Sequence, residues 1–455
     1  MSALQRIRAD FAGKRIAILG LGREGLALAR LFSSLGFLLL LSDDRPLEEL
    51  PQEVRQFGDL GAQIKCGGLS LEALKCDSCF VSPGIPLSHP VVARVATRGI
   101  ELWNEPRFFL RYCPAETVIG VTGSSGKSTT ASLIAAALRG TGRRVYLGGN
   151  IGRPLVGELA HLQAEDAVVL ELSSFQLQLF KESPKVAVIT NIAPNHLDRH
   201  ADMAEYIAAK ANVFRHQREG GAVVLNADQE VSRQLAASAP GAVSWFSCFG
   251  SVPSGAWLKG DELVLADGAP LCRASELKLR GQHNLANALA AAAACDLVGV
   301  PPEAIARGLT SFTGLPHRLE LVECIDGVSW YNDSIATTPE RSIAAMHAFS
   351  EPILLLAGGR DKHLPWEAWA EEAKEHALGV VAFGEAGDMI AALLRARAVP
   401  VQRVRGLRDA VHLARNLAPP GCVVLLSPGC ASYDEFRDFE DRGEAFRALV
   451  RSLRT

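Results

Sequence analysis

Residues 118–129 read Val-Ile-Gly-Val-Thr-Gly-Ser-Ser-Gly-Lys-Ser-Thr. An apolar run passes into a glycine-rich turn, and alanine-rich sequence with helical character follows. Glycines let backbone N–H groups close on an anion, and the helix N-terminus adds partial positive charge. Lys127 can reach terminal phosphate oxygens, and the Ser128 hydroxyl can ligate Mg²⁺. The expected ATP-binding run is Gly123, Ser124, Ser125, Gly126, Lys127, Ser128 and Thr129. The longer phosphate-loop spacing needs glycine at 121, where Val121 stands, so this is the shorter G-x-x-G-K-S form.

The alternation of short apolar runs with helical periodicity continues in both directions, which predicts α/β architecture with parallel sheets. Three blocks emerge, at 1–107, 108–313 and 314–455. In the first, 15–19 reads as a strand, 24–35 as a helix and 37–41 as a second strand. The second has strands at 118–122, 167–170, 186–190 and 222–225, and helices near 128–139 and 284–297. The third carries apolar runs at 352–356, 380–383 and 422–426. Each block is expected to be a domain built on a mainly parallel sheet with flanking helices.

With 455 residues, 48% of them hydrophobic, each block can bury its own core. A net charge of −3 excludes a basic nucleic-acid binder. The longest apolar stretches, 37–41 and 288–295, fall well short of the ~18 residues of a membrane span. Residues 1–15 are charged and lack the apolar core of a secretory signal, so a cytoplasmic protein is expected. The ten cysteines are scattered and read as buried free thiols. Cys76 and Cys79 form a C-x-x-C with no second pair, which does not make a zinc site.

Further candidates lie at strand ends. Glu171 closes an apolar run, where an acid beside a phosphate loop helps hold Mg²⁺. The loop 191–200 carries His196, Asp198 and His200, all suited to metal or phosphate. Lys210 stands among alanines on the next helix, and by itself reads as a snorkelling surface lysine. Near the amino terminus, Gly20-Leu21-Gly22-Arg23-Glu24-Gly25 follows a strand, and Asp43 lies about 20 residues beyond Gly22 at the next strand end. That fingerprint fits NAD, and it equally fits the pyrophosphate of a UDP-sugar.

Taken in order, these segments resemble the Mur ligase family, in particular its D-glutamate-adding branch. Besides the two glycine loops, the resemblance rests on Val-Ser-Pro-Gly-Ile-Pro at 81–86, Gly-Gly-Asn at 148–150 and Glu-Leu-Ser-Ser-Phe-Gln at 171–176. It continues through Asn-His-Leu-Asp-Arg-His at 195–200, Lys210, Gly-Gln-His-Asn at 281–284 and Leu-Pro-His-Arg at 315–318. The last segments are Asn-Asp-Ser at 332–334, 358–362 and Ser-Pro-Gly-Cys-Ala-Ser-Tyr-Asp at 427–434. The resemblance spans essentially the whole chain.

It implies a Rossmann-like UDP-binding domain (1–107), a central ATPase domain (108–313) and a C-terminal glutamate-binding domain (314–455) with a dinucleotide-type fold. It implies ATP and Mg²⁺ as cofactors. UDP-N-acetylmuramoyl-L-alanine and glutamate would be the substrates and the chain a monomer. ATP would phosphorylate the alanyl carboxylate, and the glutamate amine would displace phosphate to form an amide. Carried across, Lys127, His196 and Lys210 are the catalytic candidates. Ser128, Glu171, His196 and a carbamylated Lys210 would surround Mg²⁺. Asn284, Arg318 and Asp333 would join the phosphate loop on ATP. Gly20, Leu21, Gly22, Arg23, Asp43, Ser82, Pro83, Gly84, Asn150 and Ser173 would hold the UDP substrate. Thr337, Lys362, Ser432 and Phe439 would hold glutamate.

The chain departs from the family pattern in places. Ile335 stands where many such ligases have lysine, and Asn195 where an acid is common. Arg23-Glu24 replaces small residues in the first loop. These changes leave D- and L-glutamate both open as acceptors. The remaining alternatives are a sister ligase, a non-catalytic nucleotide-dependent binding protein and an NAD-dependent oxidoreductase.

Overall fold

The structure is a computed structural model that describes residues 1–194 and 199–454. Its chain forms three sheets, distributed over two compact units. One unit comprises 1–276 with 286–310, and the other 277–285 with 311–455.

The first unit holds two of the sheets. The amino-terminal one is fully parallel, in the spatial order Gln63–Cys66, Leu39–Asp43, Ile16–Leu19, Ser78–Val81, Glu101–Trp103. Strand order reverses between Ile16–Leu19 and Ser78–Val81, so a ligand crevice is expected at their carboxyl ends. Every residue of Ile16–Leu19 is buried, because both sheet faces are covered. Phe11, Phe32, Phe80 and Phe108 interlock on one face, with Phe32 and Phe80 ring centroids 5.1 Å apart. The second strand was expected at 37–41 and lies at Leu39–Asp43. Phe37 instead packs edge-on against Phe32, and Leu38 is exposed, so the apolar run begins before the strand does.

The central sheet has nine strands. Its parallel part runs Ala242–Ser247, Ala222–Asn226, Val186–Ile189, Thr117–Thr122, Ala167–Glu171, Val145–Gly149. Thr117–Thr122 lies between the neighbours that carry Glu171 and Thr190, so its glycine loop emerges beside both. Three further strands, Gly255–Lys259, Glu262–Leu265 and Pro270–Arg273, extend the other edge, the last two in antiparallel pairing.

The second unit carries six strands in the order Glu320–Ile325, Val328–Asn332, Val423–Gly429, Ile353–Gly358, Ala377–Phe383, Val401–Arg403. All pairs are parallel except the first, a hairpin closed by Asp326-Gly327 with φ of 49° and 78°. Left-handed residues of this kind match the strand twist in two-residue turns. The ten cysteines are free, five of them buried and Cys324 exposed. Among the described residues, no helix is long and apolar enough to cross a membrane.

Candidate active site

The phosphate loop forms as its sequence predicts. Helix Lys127–Arg139 starts at Gly126, whose φ of 77° favours glycine and whose Cα faces the Asn287 side chain too closely for a Cβ. Asn191 braces the loop: its carbonyl accepts from Ser124 N, and its Oδ1 accepts from Ser125 N at 3.0 Å. Ser124 Oγ sits 2.9 Å from Tyr206 Oη and donates to the Ala193 carbonyl. Thr129 is buried behind the loop. Lys127 Nζ donates to the carbonyls of Gly123 (3.0 Å) and Ser124 (3.3 Å), a folded-back pose over the loop.

Ser128 Oγ donates to Glu171 Oε2 at 2.5 Å, and Asn150 Nδ2 donates to Glu171 Oε1 at 2.7 Å. Adjacent hydroxyl and carboxylate oxygens at a helix N-terminus are the hard donors that Mg²⁺ takes. Ser128 and Glu171, both expected to ligate Mg²⁺, thus lie side by side.

Lys210 corrects its residue-only reading. It does not snorkel: the side chain is buried on helix Met203–Arg215, and Nζ donates to the Gly123 carbonyl at 2.8 Å. Burial, and then the Lys127 charge, hold its pKa well below the usual lysine value, only partly offset by Glu171. Three sequence-distant segments thus bring Lys127, Glu171 and Lys210 into one electrostatic group. His196 lies outside the described residues, as do Asn195 and Asp198. His200 is buried, stacked on Phe175 with ring planes 5° apart and 3.0 Å from Ser174 Oγ.

A cavity of ≈ 440 Å³ opens at the switch point of the amino-terminal sheet. Gly20, Gly22, Arg23, Asp43, Ser82, Pro83, Gly84 and Asn150 all line it. Gly25 stands where a Cβ would strike the Gly20 carbonyl, so helix Arg23–Ser34 packs directly on the loop. Ser82 Oγ donates to that same carbonyl at 2.6 Å. Leu21 contributes through its backbone, its side chain being buried. Ser173 instead caps helix Ser174–Leu177, accepting from Gln176 N.

Asp43 is already engaged. Oδ2 accepts from Leu21 N (2.6 Å) and Arg45 Nη2 (3.0 Å), while Oδ1 accepts from Arg45 N (2.9 Å) and Arg45 Nε (3.0 Å). These bonds outweigh the opposing effect of burial and hold its pKa below the usual range. The carboxylate therefore orders the loop and fixes Arg45, a cavity-lining cation that the fingerprint did not single out. Only its position just after Asp43 signalled it.

The second unit assembles a separate group. The turn 314–319 is strained, with His317 at φ 62° and Leu319 at φ 42° on either side of Arg318. Leu319 N donates to Asp333 Oδ1 (3.2 Å) and Ser427 Oγ to Asp333 Oδ2 (2.9 Å). Burial pushes the Asp333 carboxyl up to about 7. Asn284 Nδ2 donates to the Arg280 carbonyl at 2.7 Å. Asn284, Arg318 and Asp333 thus share the second unit, whereas the phosphate loop belongs to the first.

Of the glutamate candidates, Lys362 Nζ donates to Thr337 Oγ1 at 3.2 Å. The 360–431 bridge sets buried Ser432 beside the Lys362 loop. Burial and the Arg341 charge lower the Lys362 pKa. Phe439 is half-buried at the start of helix Phe439–Ser452 and packs edge-on to His317 at 6.4 Å.

Two residues of the second unit also escaped the sequence reading. Arg341 Nη1 donates to the Ile335 carbonyl, which brings a cation to the position that lacks lysine. Arg442 is fully buried and donates to Ser334 Oγ, Ser334 O and Cys430 O at 2.9–3.1 Å. Burial lowers its pKa to about 10.

Comparison with known proteins places this geometry. The chain matches the models of the Mur ligase MurD-like N-terminal domain (14–104), the Mur ligase middle domain (121–295) and the Mur ligase glutamate ligase domain (317–430). It is 41% identical over 449 residues to the UDP-N-acetylmuramoylalanine–D-glutamate ligase of Symbiobacterium thermophilum, covering 97% of this chain and 98% of that one. The protein of the same name from Acetivibrio thermocellus is 38% identical over 462 residues, covering 99% of each. Among solved structures, the UDP-N-acetylmuramate-alanine ligase of Thermotoga maritima superposes with TM-score 0.61 at 19% identity, over 97% of this chain and 100% of that one. At that identity the likeness concerns the fold. The full-length match to relatives of one name, with all three domain models in order, shows that the chain belongs to the Mur ligase family, in the branch of the UDP-N-acetylmuramoylalanine–D-glutamate ligases.

Proposed function

We propose that the chain is an ATP-dependent amide ligase that joins D-glutamate to UDP-N-acetylmuramoyl-L-alanine in peptidoglycan precursor synthesis. The observation that carries this is Asn150. It lines the cavity at the amino-terminal sheet and donates to Glu171, which in turn accepts from Ser128 of the phosphate loop. A nucleotide-sugar held in that cavity therefore has its far end beside the phosphate loop.

The chemistry follows. An alanyl carboxylate oxygen attacks the γ-phosphorus of ATP, the bond to the ADP oxygen breaks, and an acyl phosphate forms. The neutral glutamate amine attacks the acyl carbon, the carbon–oxygen bond to phosphate breaks, phosphate leaves as the amide forms, and the proton released from nitrogen passes to the departing phosphate or to solvent. Lys127 exchanges its carbonyl partners for phosphate oxygens and offsets their charge. The loop N–H groups and the helix dipole orient the transferred group. Ser128 and Glu171 would hold Mg²⁺, which supplies further charge neutralisation when bound. The lowered pKa of Lys210 favours the neutral amine that reacts with CO₂, and the carbamate so formed would be an anionic ligand. Arg23 and Arg45 would face the diphosphate and uridine ends of the substrate. Lys362, Arg341 and Thr337 would take the glutamate carboxylates, Arg341 offsetting Ile335. Asn284, Arg318 and Asp333 would complete the ATP site. The chain is proposed to act as a cytoplasmic monomer.

The dinucleotide reading is disfavoured by Asp43, whose two oxygens each already accept two hydrogen bonds instead of awaiting a ribose. The D-acceptor follows the name that the relatives carry.

The experiment is phosphate release with ATP, Mg²⁺ and UDP-N-acetylmuramoyl-L-alanine, with D- or L-glutamate in parallel. Turnover with D-glutamate alone supports the proposal. Turnover with L-glutamate alone would keep the chemistry and reject the acceptor. Nucleotide binding without turnover in either case would leave a binding protein.

A further inference from the structure

In the second unit, helices Pro339–Met346 and Glu367–His376 lie together, joined at mid-length by Trp369 Nε1 donating to Ser342 Oγ at 3.0 Å. Their carboxyl ends meet as well. His347 caps the first helix and His376 ends the second, while Glu372 stands one turn before His376 on the same face. Glu372 Oε2 lies 2.6 Å from His347 Nε2 and 3.2 Å from His376 Nε2. One ligand atom from each residue falls within 4.8 Å of the other two. The two imidazoles sit edge to face with centroids 4.9 Å apart.

We infer that His347, Glu372 and His376 form a surface site for a borderline divalent transition metal of the zinc class. Tetrahedral ligation at about 2.0–2.1 Å separates ligand atoms by about 3.4 Å, so small side-chain rotations convert the present cluster into a three-ligand site. The donor set is two imidazoles and one carboxylate. It suits zinc, cobalt, nickel or copper, and it differs in kind from the all-oxygen set at Ser128 and Glu171. Two helix carboxyl ends add partial negative charge where the cation sits. The side chains are 48%, 30% and 37% exposed in chain order, which leaves room for water as fourth ligand and for exchange with solvent.

The bound metal clips the open ends of the helix pair. The first helix starts just after Thr337, and the second follows the loop that carries Lys362. The clip therefore stiffens the scaffold of the proposed glutamate pocket from the far side, without touching it.

The test uses the full-length chain, stripped with chelator and then saturated with Mg²⁺ and ATP. Zinc chloride alone is titrated by calorimetry, and cobalt is followed by absorption. The site predicts one strong zinc equivalent. Combined His347→Ala and His376→Ala substitution should weaken it at least about 100-fold, since loss of outer-shell partners alone costs about 10–100-fold. Glu372→Gln, the milder variant, should also weaken it. Cobalt should give bands of nitrogen and oxygen ligation without thiolate charge transfer, which separates the site from Cys76, Cys79 and Cys324. Zinc should raise Tm in the unsubstituted chain and not in the double variant. Equal zinc affinity in the double variant, or a thiolate band, would overturn the site. Zinc bound without a rise in Tm would overturn the clip.

Discussion

Lys127 and Lys210 show how two lysines of one site acquire opposite tasks. Lys127 is partly buried and keeps carbonyl partners that phosphate oxygens can replace. Replacing it with alanine should leave the fold intact and lower kcat by about 10²–10³, the usual loss for one electrostatic stabiliser. Steady-state kinetics beside a thermal melt would check this. Lys210 is buried, and its ammonium is opposed by Lys127, so its neutral form is favoured. Labelled ¹³CO₂ should therefore give a protein-bound carbamate resonance that Lys210→Arg lacks, together with lost turnover. A resonance that persists in the variant would remove Lys210 from that role. The sequence alone could not reveal this environment. A lysine among alanines looks the same whether its helix face meets solvent or, as here, the underside of a phosphate loop.

At the scale of elements, Arg442 ties the Ser334 turn to the Cys430 loop through buried bonds, with a hydroxyl and carbonyls as its partners. Arg442→Ala would strand those acceptors, and the second unit should lose at least about 2 kcal/mol in denaturant unfolding. The KM for glutamate should rise as Lys362 and Ser432 lose their frame. A second prediction concerns helix Glu105–Tyr112. Glu105 is buried, and its Oε1 accepts from Val156 N at 2.7 Å. Burial, and then the Glu24 charge, push its pKa up to about 8. A carboxyl whose folded pKa is raised contributes stability that is full below its unfolded value near 4.5. That contribution is lost as pH rises through the folded value. The unsubstituted chain should thus lose stability between about pH 5 and 8. Glu105→Gln, which retains the Val156 acceptor, should flatten that slope in melts across the range.

Some of these elements were legible in the sequence. Strands buried on both faces, such as Ile16–Leu19 and Ala167–Glu171, read directly from their apolar runs. The three strands beyond Ala242–Ser247, namely Gly255–Lys259, Glu262–Leu265 and Pro270–Arg273, did not, because they are short, mix buried with exposed positions, and only their turns announce them. Gly260-Asp261 and Asp267-Gly268 are those turns, and Gly260 and Gly268 have φ of 65° and 93°. Arg45 and Arg442 escaped for another reason. Their roles depend on partners brought from elsewhere in the chain or fixed by a turn, which spacing alone does not encode.

For the whole molecule, the phosphate loop and the amino-terminal cavity belong to one compact unit, and Asp333, Arg318, Thr337 and Lys362 to the other. The proposed reaction draws on residues of both units, so Lys362→Ala in one should reduce glutamate-dependent phosphate release as Lys127→Ala in the other does; full turnover in Lys362→Ala would take the second unit's group out of the reaction.

In the proposed reaction, one site joined by Asn150 transfers the γ-phosphoryl group to the carboxylate of a nucleotide-sugar substrate. The direct measurement supplies UDP-N-acetylmuramoyl-L-alanine with both alanyl carboxylate oxygens as ¹⁸O, together with ATP and D-glutamate, and weighs the released phosphate. Each released phosphate should carry one ¹⁸O, with the other in the new amide carbonyl. Product formed with unlabelled phosphate would contradict it.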